Sequence, residues 1–183
     1  MKKTIAILFI IVFATSMIFA QGALPKKGDL FVGAKIGLGA FYGADLGFGG
    51  GVEYVLQEDF LNLGDIPGAL GVGGSFGYAS YTSGYYGYNW KYTNILILAS
   101  AYYHADVLKN AKLDTYLKFS LGYNAGKVKY DGLDGYDYRT PTYGGVVTGS
   151  AIGARYFLTP ALAAVAEVGW GFGIFRLGVD LAL

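Results

Sequence analysis

The chain has one histidine, His104, four residues after Ser100. A histidine base beside a serine nucleophile is a minimal apparatus for acyl transfer, provided the two side chains come within hydrogen-bond reach. On a strand that spacing holds them about 13 Å apart. The pair is therefore rejected as a catalytic unit, and His104 reads as a polar residue among aromatics at the inner end of a strand. Asp131, Asp134 and Asp137 recur every third residue, interspersed with Gly132 and Gly135. Such carboxylates suit calcium, but the spacing is not that of a known calcium loop, and a solvated, turn-rich loop is the favoured reading. The absence of cysteine excludes disulfides, thiolate metal sites and a lipidated cysteine. No catalytic residue, metal or cofactor is expected.

A second group of charges is spaced for a different role. Lys35, Glu53, Lys118, Glu167, Arg176 and Asp180 each fall on the small or polar side of an alternating segment. Arg155 lies where the pattern alone allows either face, and joins them because an arginine facing lipid is costly. A turn at Thr159 and Pro160 sets Arg155 diagonal to Glu167, within reach of a long side chain. Asp180 lies two same-face positions beyond Arg176. The expectation is that Arg155 and Glu167 interact directly or through Arg176. Such a cluster serves either as a paired, hydrogen-bonded plug or as a charged constriction that selects solutes. The plug is favoured, because the interior of an eight-stranded barrel is just wide enough for its side chains to fill.

The segments that must position these charges alternate with period two. In the last stretch, residues 172–183, Phe175, Leu177, Val179, Leu181 and Leu183 share one face, while Arg176, Gly178, Asp180 and Ala182 share the other. Equivalent segments are read at 29–40, 45–56, 69–80, 91–105, 112–126, 143–157 and 162–171. Segment 91–105 is apolar on both faces through Ile95–Leu98 and has no orientation from pattern alone. Eight segments of this length suit an all-β, eight-stranded antiparallel transmembrane barrel, an up-and-down meander over residues about 28–183 with lipid outside and a polar lumen. The composition agrees: 54% hydrophobic but only 15% charged, with 30 glycines and 17 tyrosines. Past the leader there is no apolar run long enough for a spanning helix, and in lipid only helices and closed barrels satisfy the backbone. The competing soluble lipocalin-like barrel would turn its apolar face inward.

Residues 1–20 combine Lys2 and Lys3, a short apolar core and Ala20, the pattern of a signal peptide; residues 21–183 then form the outer-membrane barrel domain. Loss of the two lysines takes the formal net charge from +1 to −1, which leaves no basis for nucleic-acid binding. With both ends in the periplasm, residues 41–44, 81–90, 127–142 and 171–173 face outward. The 81–90 loop holds Tyr81, Tyr85, Tyr86, Tyr88 and Trp90, with Tyr92 just beyond, and reads either as packing or as a contact surface. Aromatic girdles are expected from Tyr78, Tyr81, Trp90, Tyr92, Tyr123, Trp170 and Phe172 at the outer ends, and from Tyr54, Tyr102, Tyr103, Tyr116, Tyr156 and Phe157 at the inner ends.

The stretch 149–170, GSAIGARYFLTPALAAVAEVGW, resembles the penultimate hairpin of small bacterial outer-membrane barrels of the opacity-porin type, and residues 113–126 resemble an earlier strand of that family. The resemblance implies an outer-membrane location and a non-enzymatic role. One departure is the final Leu183, where such proteins usually end in Phe or Trp. The expected partners are outer-membrane lipid, the barrel-assembly machinery and an extracellular ligand or host surface, with the protein itself a monomer. Two functions follow: a structural or surface-interaction barrel with a plugged lumen, or a passive porin-like channel for small solutes.

Overall fold

Antiparallel pairing runs without a crossover through eight strands: β1 (Leu30–Leu38), β2 (Leu46–Glu58), β3 (Gly68–Tyr85), β4 (Tyr88–Ala105), β5 (Leu113–Asp131), β6 (Thr142–Thr159), β7 (Leu162–Trp170) and β8 (Phe175–Ala182). The computed structural model describes residues 24–39, 43–85, 88–131 and 141–183. The signal-peptide segment, Tyr86, Asp134 and Asp137 lie outside the described residues. β1 pairs with β8 from Phe31↔Ala182 to Leu38↔Phe175, so the sheet closes into a barrel and neither terminal strand is left as a bare edge.

Alternation decides what each face meets. The outer surface is an apolar belt that includes Ile36, Phe48, Phe76, Ile97, Phe119, Ile152, Val168 and Leu177, all exposed. Segment 91–105, ambiguous in sequence, resolves through its register: Ile95 and Ile97 face out, whereas Asn94, Leu96 and Leu98 face in and are buried. The outward Tyr54, Tyr78, Tyr103, Tyr123, Tyr156 and Trp170 accompany the belt. Tyr102, Tyr116, Phe157 and Phe172 do not belong to a girdle; they are buried in the interior, because each shares the parity of the lumen residues on its strand or turn.

Strand length divides the barrel. β1, β7 and β8 have 9, 9 and 8 residues, while β3 to β6 have 18 or 19. A tilted strand crosses a bilayer in about 9–11 residues, so β3–β6 project beyond the belt as a continuous wall. The expected loop at 81–90 is instead hairpin: pairing continues to Tyr85↔Tyr88. Within the expected loop at 127–142, residues 127–131 and Thr142 are strand, with Lys127 paired to Thr142. Tyr81, Thr82, Tyr85, Tyr88 and Tyr92 are strong strand formers, and they outweigh Gly84 as a loop signal.

Candidate functional site

The interior is layered along the barrel axis. At the end that carries the first described residues and the C-terminus, Phe31, Val55, Ala69, Phe157, Ala163 and Ala182 form an apolar floor. Toward the opposite end, Leu96, Leu98 and Phe172 form an apolar lid. Phe172 comes from the β7–β8 turn, between Gly171 (φ 118°) and Gly173 (φ 73°). These left-handed positions favour glycine, and they turn the ring inward. It settles over Gly77 and Gly47, where an added Cβ would lie 2.6 and 2.8 Å from ring atoms.

Two sets of charges lie between floor and lid. The set next to the floor centres on Arg155. Its Nε donates to Asp180 Oδ2 (2.6 Å), its Nη1 to Asp114 Oδ2 (3.2 Å) and its Nη2 to Glu53. The guanidinium also lies over the rings of Phe31 (4.2 Å) and Tyr116 (4.9 Å). His104 completes the set: Nδ1 is 2.9 Å from Asp114 Oδ1 and Nε2 is 2.6 Å from Glu53 Oε1. Both ring nitrogens face carboxylates, an arrangement that the doubly protonated imidazolium satisfies. All five side chains are buried. His104 is therefore not a girdle residue but a bridge inside the lumen, and Ser100 bonds instead to Ser120 (2.8 Å).

The second set lies closer to the lid and centres on Glu167. Lys35 Nζ donates to Glu167 Oε1 (2.6 Å), as does the Tyr116 hydroxyl (2.7 Å). Arg176 Nε lies 2.7 Å from Glu167 Oε2, off the axis of a good hydrogen bond, and its Nη1 donates to the carbonyls of Phe172 and Gly173. Lys118 is 9% exposed and makes no hydrogen bond or ion pair among the described residues; its Nζ stands 5.2 Å from the Tyr102 ring centroid. Lys35, Lys118, Arg155, Glu53, Glu167, Arg176 and Asp180 all line a cavity of about 50 Å³ between the two sets.

The expected Arg155–Glu167 pairing is not made. Both side chains point inward, but each belongs to its own set, with Tyr116 between them: its ring lies under Arg155 and its hydroxyl on Glu167. The diagonal register is present, since Gly153 opposes Glu167 and Arg155 opposes Val165. The guanidinium instead meets Asp114, its cross-strand partner on β5, and reaches Glu53 on β2 and Asp180 on β8. Sequence reasoning missed Asp114, His104 and Tyr116 in the site. Parity was the available signal, because on β5 Asp114 and Tyr116 precede Lys118 in steps of two.

The expected contact residues of the 81–90 segment are only partly described. On the face that continues the lumen, Trp90 packs on Tyr130 with centroids 4.7 Å apart, and Tyr81 stacks on Tyr92 at 4.7 Å. Tyr85 and Tyr88 are cross-strand partners at the tip of the hairpin. No cluster of potential metal ligands is found among the described residues.

Neither a family model nor a curated protein sequence matches this chain. Solved structures do. The N-terminal β-barrel domain of Pseudomonas aeruginosa OprF aligns with a TM-score of 0.57 at 16% identity, covering 87% of this chain and 100% of that one. A major outer membrane protein from Thermus thermophilus aligns with a TM-score of 0.59 at 17% identity, covering 85% of this chain and 99% of that one. At these identities the likeness is one of fold.

Proposed function

We propose that this chain is a non-enzymatic outer-membrane barrel whose closed lumen stabilises the structure and whose projecting wall, β3–β6, serves as a contact surface outside the cell. The observation that carries the reading is the plugged, charge-paired interior. Arg155, His104, Glu53, Asp114 and Asp180 span the lumen as one buried network, between an apolar floor and the Phe172 lid. An ion crossing this barrel would have to break several buried charge-assisted bonds at once. The apolar belt supports lipid as the surrounding medium, since a soluble barrel would not expose Phe48, Phe76 and Phe119 together on one band. Membership of the opacity-porin type, export by the 1–20 signal peptide, a monomeric state and delivery by the barrel-assembly machinery belong to the same proposal. With the termini in the periplasm, the aromatic wall faces an extracellular ligand or host surface.

Conductance of the purified protein in a planar bilayer tests this reading. Silence is the expected result. Steady, ion-selective openings that change in Arg155→Gln would overturn it and establish the passive channel.

A further inference from the structure

We infer that the lumen cavity is a binding site for one small inorganic anion, held by Lys118, Lys35 and Arg176. The cavity is about 50 Å³. A single water needs roughly 10–15 Å³ on this measure, so there is room for an ion of chloride to phosphate size and not for a metabolite. The charges around it do not balance. Near the lid, three cations share the single carboxylate of Glu167. Both of its oxygens are engaged, one by Lys35 and Tyr116 and the other facing Arg176. Near the floor, Glu53, Asp114 and Asp180 are each already bonded within their own set, by Arg155 and His104.

Lys118 is the second and independent observation. It is more than nine-tenths buried and lines the cavity, and its ammonium makes no hydrogen bond or ion pair among the described residues, sharing the field of Glu167 with Lys35 and Arg176. A buried charge is normally paired, and the contact with Tyr102 does not neutralise it. Ser75, on the lumen face of β3, lines the same space and brings a hydroxyl donor to it. An anion there would receive charge-assisted hydrogen bonds from the lysines and arginine. The inference goes beyond the closed-barrel reading and stands apart from it, since a conducting barrel could hold the same site.

Refolded protein in detergent micelles provides the test, through its urea unfolding midpoint at constant ionic strength in sodium chloride, sodium phosphate or sodium gluconate. Gluconate is too large for the cavity. A ligand that binds only the folded state raises the midpoint by mass action. The expected result is a higher midpoint in chloride or phosphate than in gluconate for the wild type and for the exterior variant Lys91→Met, with the difference lost in Lys118→Met. Equal midpoints in all three salts would overturn the site, as would a difference that survives in Lys118→Met. Should Lys118→Met fail to fold, wild-type crystals grown in sodium bromide decide the matter. An anomalous peak among Lys35, Lys118 and Arg176 supports the site, and its absence rejects it.

Discussion

The two charged sets in this lumen are built from the same residue types and are separated by one tyrosine, yet they differ in how completely they are bonded. Around Arg155, a fork of guanidinium nitrogens meets three carboxylates, and His104 ties two of these together. Around Glu167, one carboxylate serves several cations, and Lys118 makes no hydrogen bond or ion pair among the described residues. The difference lies in what the flanking strands supply. β2 and β5 bring Glu53 and Asp114 to the floor, and small residues make room for them; a Cβ at Gly71 would lie 2.6 Å from Glu53 Oε1. Near the lid, β5 supplies Lys118, and β2 and β3 supply glycines and Ser75, so the space stays open. A saturated set acts as a structural bolt. An unsaturated one, facing a cavity, is where a ligand would find unused donors.

The largest effect is expected from Arg155→Ala. It strands three buried carboxylates with only His104 between them, and breaking a buried pair of this kind typically costs about 3–5 kcal/mol. Urea unfolding in detergent micelles would measure it. A loss below about 1 kcal/mol would mean that this set is not the bolt.

Glu167→Gln comes next. It removes the charge that Lys35 and Arg176 share, but Lys35 is partly exposed and the cavity admits water, so a loss of about 2 kcal/mol is expected in the same measurement. A loss equal to that of Arg155→Ala would erase the distinction between the two sets.

The smallest effect is a coupling energy. Arg155→Ala and Asp180→Ala remove partners of one hydrogen bond and should couple by about 1 kcal/mol or more in a double-mutant cycle. Arg155→Ala and Glu167→Ala act on different sets and should be additive to about 0.5 kcal/mol. Equal coupling in the two cycles would show that Tyr116 transmits rather than separates, and the interior would then be one network.

Much of this is legible along the chain. Alternation in β8 places Arg176 and Asp180 on one face and Phe175, Leu177 and Val179 on the other, and the barrel follows that division. The cost of a charge in lipid places Arg155 inward from a strand whose pattern is silent. The reading fails where a residue's type suggests a role that its parity denies. Tyr102, Tyr116, Phe157 and Phe172 suggest interface aromatics because aromatic residues gather there, and His104 falls beside them in sequence. Their strands and turn aim them inward. Glycine misleads too, as a loop signal in 81–90, where β3 and β4 run through it.

The sequence by itself determined that the charges Lys35, Glu53, Lys118, Glu167, Arg176 and Asp180 face the lumen, because a strand has a period of two and a lipid-facing surface excludes charge. It also settled the number of strands, since each segment is long enough to cross a bilayer and turn signals separate them. Which charges meet was decided only by the tertiary structure. That Arg155, Glu167, Glu53, Asp114, His104 and Asp180 share one interior says nothing of height, and a pairing across the lumen depends on the stagger of strands far apart in the chain, Glu53 on β2 and Arg155 on β6. The strand registers set that stagger, and with it a guanidinium that meets three carboxylates and a lysine that meets none among the described residues.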